Sequence, residues 1–311
     1  MNTTALPTTI PHYLEQLREA LRGADPAMVQ DALYDAEEYL RSELAEQTGR
    51  SEAEVIASVA GSYGAPTEVA EIYRDTEVTV NRALRPPPAP KRKSFLGQFF
   101  GVIVDPRTYG ALFYMLLSLA TGLIYFTVVT TGVSLSLGLL ILIIGIPILV
   151  LFLALIRVLS LVEGRIVEVL LGERMPRRPL YTNRGKGWLE RIKDMFTDGR
   201  TWTAMLYFLL MMPLGIVYFT TAVTGLATSV AMMGAPIAVW LGLTDVQSNP
   251  DGFLFWGTHG NGLTTDLSMW QLPLVLVAGF LLFFITLHLA KFIGKVHGTL
   301  AKHLLVRDPV V

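Results

Sequence analysis

The pattern of apolar side chains changes near residue 95, and this change divides the chain into two parts. Over residues 10–80 the apolar positions recur at spacings of three and four between charged ones, which predicts amphipathic helices. Further along, Thr108 to Ile156 contains no charged residue, and Thr203 to Ala290 contains no Lys or Arg. Stretches of that length match the hydrocarbon thickness of a bilayer, so they predict membrane-spanning helices.

Capping residues mark the helices of the first part. Asp25 followed by Pro26 is typical of an N-cap with proline in the first turn, here of the second helix. Ser51 and Glu54 predict a capping box for the third helix, and Thr67 is the predicted cap of the last. The first part is therefore predicted to be a small all-helical domain, residues 1–80.

Charge is distributed unevenly between the two parts. Residues 1–80 contain 15 acidic and 5 basic side chains, whereas the rest of the chain contains 11 acidic and 20 basic ones. A Pro-rich linker with a basic end, residues 81–94, separates the two parts. The acidic domain is either an ordinary solvated surface or a docking surface for the basic segment 157–200, and such docking should weaken with salt.

The apolar part contains an internal repeat. Asp105–Gly132 aligns without a gap to Asp198–Gly225 at a constant offset of 93 residues, and 13 of the 28 positions are identical. The repeats are predicted to cover about residues 95–175 and 188–305 of a domain that runs from 95 to 311. Each copy begins with a short amphipathic approach and continues as two spans, which are predicted at about 110–131 and 134–161 in the first copy and about 203–224 and 272–292 in the second.

Basic residues determine the predicted topology. The segment 157–200 and the C-terminal tail are rich in Lys and Arg, whereas the insert 244–271 contains none. The positive-inside rule then favours four spans with both termini cytoplasmic, in the inner membrane of a bacterium. The two hairpins would enter from the same side as parallel repeats. Three placements stay open for segment 226–243: it extends the third span, re-enters the membrane or crosses it.

The N-terminal residues resemble a known family. The segments 13–17, 34–40, 51–55 and 63–70, the last containing Gly-Ala-Pro-Thr-Glu, are similar to the HAAS family of small bacterial helical signalling domains. The resemblance covers about residues 10–76. It implies a helical domain that precedes membrane segments and is linked to signalling or transcriptional control, without catalytic residues.

A second resemblance covers residues 95–305. The duplicated Asp-x-Arg-Thr-aromatic entry and the Gly-x-x-Tyr-Phe segments are similar to the "putative sensor" membrane domain found at the N-terminus of many bacterial histidine kinases. The chain contains neither a phosphoacceptor helix nor an ATP-binding module, so phosphorylation by that route is not expected.

The candidate functional residues fall in two groups, and neither forms a catalytic constellation. The first is an aromatic and acidic loop that either senses a ligand or anchors the interface: Asp251, Phe255, Trp256, His259, Asp266 and Trp270. The second is the pair of repeat entry motifs, predicted to cap their helices: Asp105, Arg107, Asp198 and Arg200. His288 is expected to be the only ionisable residue inside a span, and either to snorkel or to be hydrogen-bonded near the cytoplasmic interface. No catalytic residue, metal site or cofactor is predicted, and the absence of cysteine excludes thiolate ligands.

The predicted fold class is all-α: a small cytoplasmic helical domain followed by a four-span membrane helix bundle built from a duplicated hairpin. The predicted function is a non-catalytic sensor or signalling adaptor that relays envelope or membrane state to a cytoplasmic partner through residues 1–80. The alternative is a transport-associated or membrane-scaffold subunit. The expected partners are the lipid bilayer and a cytoplasmic protein, with self-association as a further option and no nucleic acid.

Overall fold

The structure is a computed structural model that describes residues 7–47, 49–84, 95–139, 141–142, 145–177, 193, 196–241 and 269–306. Over these residues the chain is helical and contains no strand. Four of the helices are long and apolar enough to cross a membrane. The predicted all-α fold class with four spans is therefore confirmed, whereas the residue limits of the predicted domains stay predictions.

Four short helices form the N-terminal region: α1 (Ile10–Ala20), α2 (Pro26–Glu46), α3 (Glu52–Ser62) and α4 (Pro66–Leu84). Two of the predicted caps are present, since Asp25 accepts a hydrogen bond from the Ala27 N–H at 2.9 Å and Ser51 forms the capping box with Glu54. The prediction for Thr67 is wrong. Helix α4 begins at Pro66, so Thr67 lies inside its first turn, and the Glu68 carboxylate accepts the Ala65 N–H at 3.0 Å at that helix end.

The N-terminal region has its own apolar core. Leu17, Ala32, Leu40 and Val55 are fully buried in it. Two tyrosines place hydroxyl groups at its edge: Tyr13 donates to the Gly64 carbonyl at 2.8 Å, and Tyr73 donates to Asp35 at 2.9 Å. Burial raises the pKa of both phenols above the usual value, so neither ionises near neutral pH.

The apolar part begins with α5 (Phe95–Phe100) and a 3₁₀ turn (Gly101–Val104). Its long helices are α6 (Pro106–Leu139), α7 (Gly145–Leu171), α8 (Gly199–Trp240) and α9 (Leu272–Leu305), the last preceded by a 3₁₀ turn (Met269–Gln271). Helix α8 has 42 residues and runs through most of the ambiguous segment 226–243, which therefore extends the third span. At about 1.5 Å per residue it is roughly 60 Å long, about twice the thickness of a bilayer core.

The chain divides into two compact units. One contains residues 1–88, 121–213 and 295–311, and the other contains 89–120 and 214–294. In the first unit Gly122 packs on the backbone of Met211, where a Cβ would lie 2.4 Å from the carbonyl oxygen. In the second unit Gly215 packs on the backbone of Ser118, where the same distance would be 2.3 Å. These are the same two repeat positions, so each glycine permits an equivalent helix contact.

The second helices of the two hairpins also correspond, at an offset of 134 residues. Gly132 lies against the Phe152 ring in one unit, and its counterpart Gly225 lies against Thr286, the counterpart of Phe152, in the other. The duplication therefore extends over the α7 and α9 helices, where sequence identity is too low for the offset of 93 to reveal it.

Helices α6 and α8 contact each other in both units. In the first unit the rings of Tyr125 and Phe208 lie 4.7 Å apart at their centroids and Gly122 meets Met211, and in the second Met115 packs with Tyr218. Each of these contacts belongs to a single unit, so the arrangement of the two hairpins as parallel repeats stays a prediction.

Candidate functional site: a charge lock at the ends of the apolar helices

Arg174 lies just beyond the C-terminal end of α7. Gly172 has φ 73, a left-handed conformation that ends the helix and turns the chain. Met175 then packs against Gly164 of α7, where a Cβ added to the glycine would lie 3.4 Å from the Met175 Cβ. The turn and this contact fix the position of Arg174 beside the helix end.

The guanidinium of Arg174 contacts three carboxylates from three helices. Its Nη2 is 3.2 Å from Asp31 of α2, its Nε is 3.3 Å from Glu77 of α4, and its Nη1 is 3.2 Å from Glu168 of α7. The Arg174 side chain is 8% exposed, and the carboxylates are 3–11% exposed. We call Arg174 with these three carboxylates the charge lock. It joins the N-terminal region to the end of an apolar helix.

Two further arginines neutralise the remaining charge. Arg165 lies 2.6 Å and Arg177 lies 3.3 Å from Glu168, and the Arg177 backbone N–H donates to Asp31 at 2.7 Å. Three guanidinium groups thus face three carboxylates. This balance matters because a buried charge without a partner costs several kcal/mol.

Helix α2 makes two more contacts with the apolar helices. Arg200, at the start of α8, donates to the Gln30 side chain at 2.9 Å, and Lys302, near the end of α9, forms an ion pair with Asp25. The ends of α7, α8 and α9 therefore meet one helix of the N-terminal region. The predicted docking of the acidic region on the basic segment is confirmed, and its sensitivity to salt stays a prediction.

The repeat entry motifs cap their helices, as predicted. Asp105 accepts the Arg107 N–H at 3.1 Å, and Asp198 accepts the Arg200 N–H at 3.2 Å. Each aspartate also forms an ion pair with the second helix of the other hairpin.

Those two ion pairs occupy equivalent positions of the repeats. Lys291 of α9 lies 2.6 Å from Asp105, and Arg157 of α7 lies 3.1 Å from Asp198. Partial burial raises the pKa of Asp105, but the hydrogen bonds from Lys291 and the Arg107 N–H outweigh it and hold that pKa below the usual value. The carboxylate therefore stays ionised and keeps both contacts at neutral pH.

The predicted sensing loop lies outside the described residues, except at its end. Asp251, Phe255, Trp256, His259 and Asp266 are in the part of the chain that the structure does not describe. Trp270 is described, and its side chain is 70% exposed in the 3₁₀ turn before α9. A role of this loop in ligand sensing stays a prediction.

His288 is hydrogen-bonded, as expected from the sequence. Its Nε2 lies 3.0 Å from the Phe99 carbonyl, and its ring stacks on the Phe99 ring with 5.3 Å between the centroids. Within the described ranges no group of three His, Asp or Glu side chains is suitable for a metal ion.

The sequence did not point to the charge lock itself. Glu168 and Arg174 follow the expected end of the second span at residue 161. The sequence therefore assigned them to a basic segment beyond the span and predicted no partner for either one. Helix α7 in fact continues to Leu171. Asp31 and Glu77 could not be distinguished from the other acidic residues of the N-terminal region. The opposite charges of the two parts of the chain were the one available signal that these parts would contact each other.

Comparisons with known proteins agree with the architecture of the apolar part. A search of curated proteins and a search of solved structures each gave no match. A family model described as "Putative sensor" matches residues 114–305, which include α7, α8, α9 and, of the charge lock, Glu168 and Arg174. The match covers more than half of the 311 residues, and this multi-pass membrane protein belongs to that sensor family.

Proposed function

We propose that the protein is a non-catalytic membrane sensor whose apolar helices respond to the state of the bilayer or envelope and whose N-terminal region carries the response to a cytoplasmic protein. The observation that supports this most directly is the charge lock. A change in the position of α7 relative to its neighbours moves Glu168 and Arg174, and these two residues hold Asp31 of α2 and Glu77 of α4.

The lock favours a relay over a static tether. A purely structural anchor is better served by apolar packing, because buried ion pairs return little net stability once their desolvation is counted. A charge-balanced cluster is instead sensitive to small displacements, since losing one partner leaves a buried charge unpaired. Undocking would expose the Asp31 and Glu77 faces of α2 and α4, an acidic surface suited to a basic partner protein. The resemblance of residues 10–76 to HAAS signalling domains agrees with that role.

The docked state is expected to depend on the bilayer. The chain has no cysteine, so the variant R22C/T299C carries spin labels at only two positions, both exposed and both in the unit that contains the lock. We expect pulsed electron paramagnetic resonance on nanodiscs to show one short distance in some bilayers and a second, longer one in others, as acyl-chain length and lipid charge are varied.

Two results would contradict the sensor proposal. The first is a distance distribution that stays the same in every bilayer, which would make the lock a fixed anchor. The second is solute flux through proteoliposomes that contain only this chain, which would favour the transport alternative. Liposomes without protein and the R174M variant in the same nanodiscs are the matched controls.

The membrane orientation gives a separate prediction. The ion pair between Asp25 and Lys302 requires the start of α2 and the end of α9 to lie on the same side of the membrane. We propose that this side is the cytoplasm of a bacterium and that the membrane is the inner one, because the basic segments are there.

Single cysteines test this orientation. We expect cysteines at Arg22 and Thr299 to react with an impermeant maleimide only in inside-out vesicles, and a cysteine at Asp266 to react only in intact spheroplasts. Permeabilised membranes, in which all three react, provide the control. Labelling of Arg22 and Thr299 from opposite sides would contradict the proposed topology.

A further inference from the structure

A buried carboxylate lies on α7 at a position that the charge lock does not use. Glu163 is 0% exposed, and it accepts hydrogen bonds from the hydroxyls of Tyr125 on α6 and Tyr207 on α8, both at 2.8 Å. The Tyr207 hydroxyl also lies 2.9 Å from Nε2 of His297 on α9, which is likewise 0% exposed. We call these four residues the buried cluster. It connects all four long helices within one compact unit.

The sequence did not indicate this cluster. The spans were expected to end at residues 161 and 292, which placed Glu163 and His297 outside the membrane and left His288 as the only ionisable residue inside a span. Helices α7 and α9 run to Leu171 and Leu305, so both residues belong to the same helices as the spans, and the limits of the spans in the membrane stay predictions. The offset of 134 makes Glu163 and His297 equivalent positions of the two repeats, and each is followed by a glycine, Gly164 or Gly298.

Each hydrogen bond in the buried cluster has a defined direction when Glu163 is ionised. Both tyrosines then donate to the carboxylate, and the Tyr207 oxygen accepts a proton from Nε2–H of His297. The charged and titratable groups around Glu163 are otherwise committed to partners. On α7, Arg157 pairs with Asp198, while Arg165 and Glu168 belong to the charge-lock network. From α6, α8 and α9 the described contacts are those of Tyr125, Tyr207 and His297.

The three hydrogen bonds of the buried cluster persist when it accepts one more proton. A proton from water forms an Oε1–H bond on Glu163, which then donates to the Tyr207 oxygen. The Tyr207 hydroxyl turns to donate to Nε2 of His297, whose own proton moves to Nδ1 by exchange with solvent. The cluster gains one proton in total and changes from a buried anion to a neutral group. A carboxylate at 0% exposure has lost its hydration, so the two phenol contacts are what stabilise its charged form.

We propose that the buried cluster is a proton-binding site and that its protonation is a signal this chain senses. The second half of the statement rests on the proposed function. Protonation changes the two phenol contacts from charge-assisted to neutral hydrogen bonds, which are weaker, so α7 is held less firmly to α6 and α8. Glu168 follows Glu163 by five residues on the same helix and holds Arg174. Proton uptake therefore loosens the charge lock.

Infrared difference spectroscopy on the full chain in nanodiscs tests proton binding directly. We expect a carboxylic-acid C=O band that appears as the pH is lowered. It should be absent in E163Q and shifted in Y207F, which lacks the bridge to His297. It should remain in E168Q, which changes the lock but keeps Glu163. A band that persists unchanged in E163Q, or no band that depends on Glu163 at any pH at which the chain stays folded, would overturn the inference.

The spin-labelled R22C/T299C chain tests the connection to the lock. Acid also protonates the lock carboxylates, so the decisive comparison is made at neutral pH, where E163Q imitates the protonated cluster. We expect the undocked fraction, which is the share of molecules with the longer label distance, to rise about fivefold in E163Q. The neutral amide removes the charge assistance of the phenol hydrogen bonds, and this weakens them by about that factor. The matched control is Y218F, the repeat counterpart of Tyr125 in the other unit, which should leave the undocked fraction unchanged.

The two measurements can fail separately. A Glu163 band together with an unchanged undocked fraction in E163Q overturns the role of the proton as a signal, while the site itself and a sensor that responds to another stimulus stand. Absence of the band overturns the site and leaves the dependence of docking on the bilayer intact. E163Q is close to glutamate in shape and keeps partners for both tyrosines, and its thermal unfolding verifies that it is folded.

Discussion

Replacing Arg174 with methionine is expected to release the N-terminal region from the ends of the apolar helices. The substitution leaves Asp31, Glu77 and Glu168 close together with their shared cation removed. Removing one partner from a buried ion-pair network costs about 3–5 kcal/mol, which is enough to change docking from the major to a minor state. The measurement is the distance distribution of the R22C/T299C chain, which should become long and broad in R174M.

The neighbouring substitution R177M is the matched control for that experiment. The Arg177 side chain is 42% exposed and contacts only Glu168 of the lock, while its contact with Asp31 uses the backbone N–H, which methionine retains. Exposed ion pairs contribute about 0–1 kcal/mol, so R177M should stay docked. Equal effects of R174M and R177M would mean that overall charge, and not the buried geometry, holds the region in place. An unchanged distance in R174M would show that the lock is dispensable.

The sequence predicts most of the fold because its signals are local. Asp25 with Pro26 and Ser51 with Glu54 identify helix starts from residues adjacent in the chain, and the structure contains both caps. The four spans follow from long charge-free stretches, and the repeat follows from identities at one offset. None of these inferences requires knowledge of which distant residues meet.

The functional candidates were harder to predict because they depend on distant pairing. Arg174 and Asp31 are separated by 143 positions, and nothing local to either one distinguishes it from other surface charges. Charge also misled the placement of helix ends. The second span was expected to end at residue 161, yet α7 continues through Glu163 to Leu171, and Tyr125 and Tyr207 provide the Glu163 carboxylate with partners inside the protein.

The charge lock and the buried cluster share one mechanical element. Helix α7 carries Arg157, Glu163 and Glu168, and each is bound to a different part of the same compact unit. A displacement of this helix therefore changes several polar contacts at once. A displacement of α7 reaches the lock only if the neighbouring helices are packed too closely to shift independently. The glycine contacts of α6 and α8 provide that close packing.

Alanine at Gly122 or Gly215 is accordingly expected to destabilise the apolar part. The added Cβ would lie 2.4 Å from the Met211 carbonyl oxygen in one case and 2.3 Å from the Ser118 carbonyl oxygen in the other. Both obstacles are backbone atoms, which cannot rotate away as a side chain does, so the helices must separate. Overpacking of this kind costs about 1–3 kcal/mol per site. Unfolding titrations in mixed detergent micelles should show a lower midpoint for each variant.

Two other glycines of the same helices separate this packing effect from helix propensity. A Cβ added to Gly138 of α6 or Gly234 of α8 meets no atom within 4 Å. Alanine is favoured over glycine by up to about 1 kcal/mol inside a helix, so G138A and G234A should keep or raise the unfolding midpoint. If G122A and G215A behave like these controls, the contact between the two helices is loose enough to accept a methyl group. A movement of α7 would then be accommodated at that contact and would not displace the lock residues. A lower midpoint in both, of similar size because the positions are equivalent in the repeat, would establish the rigid contact that the relay requires.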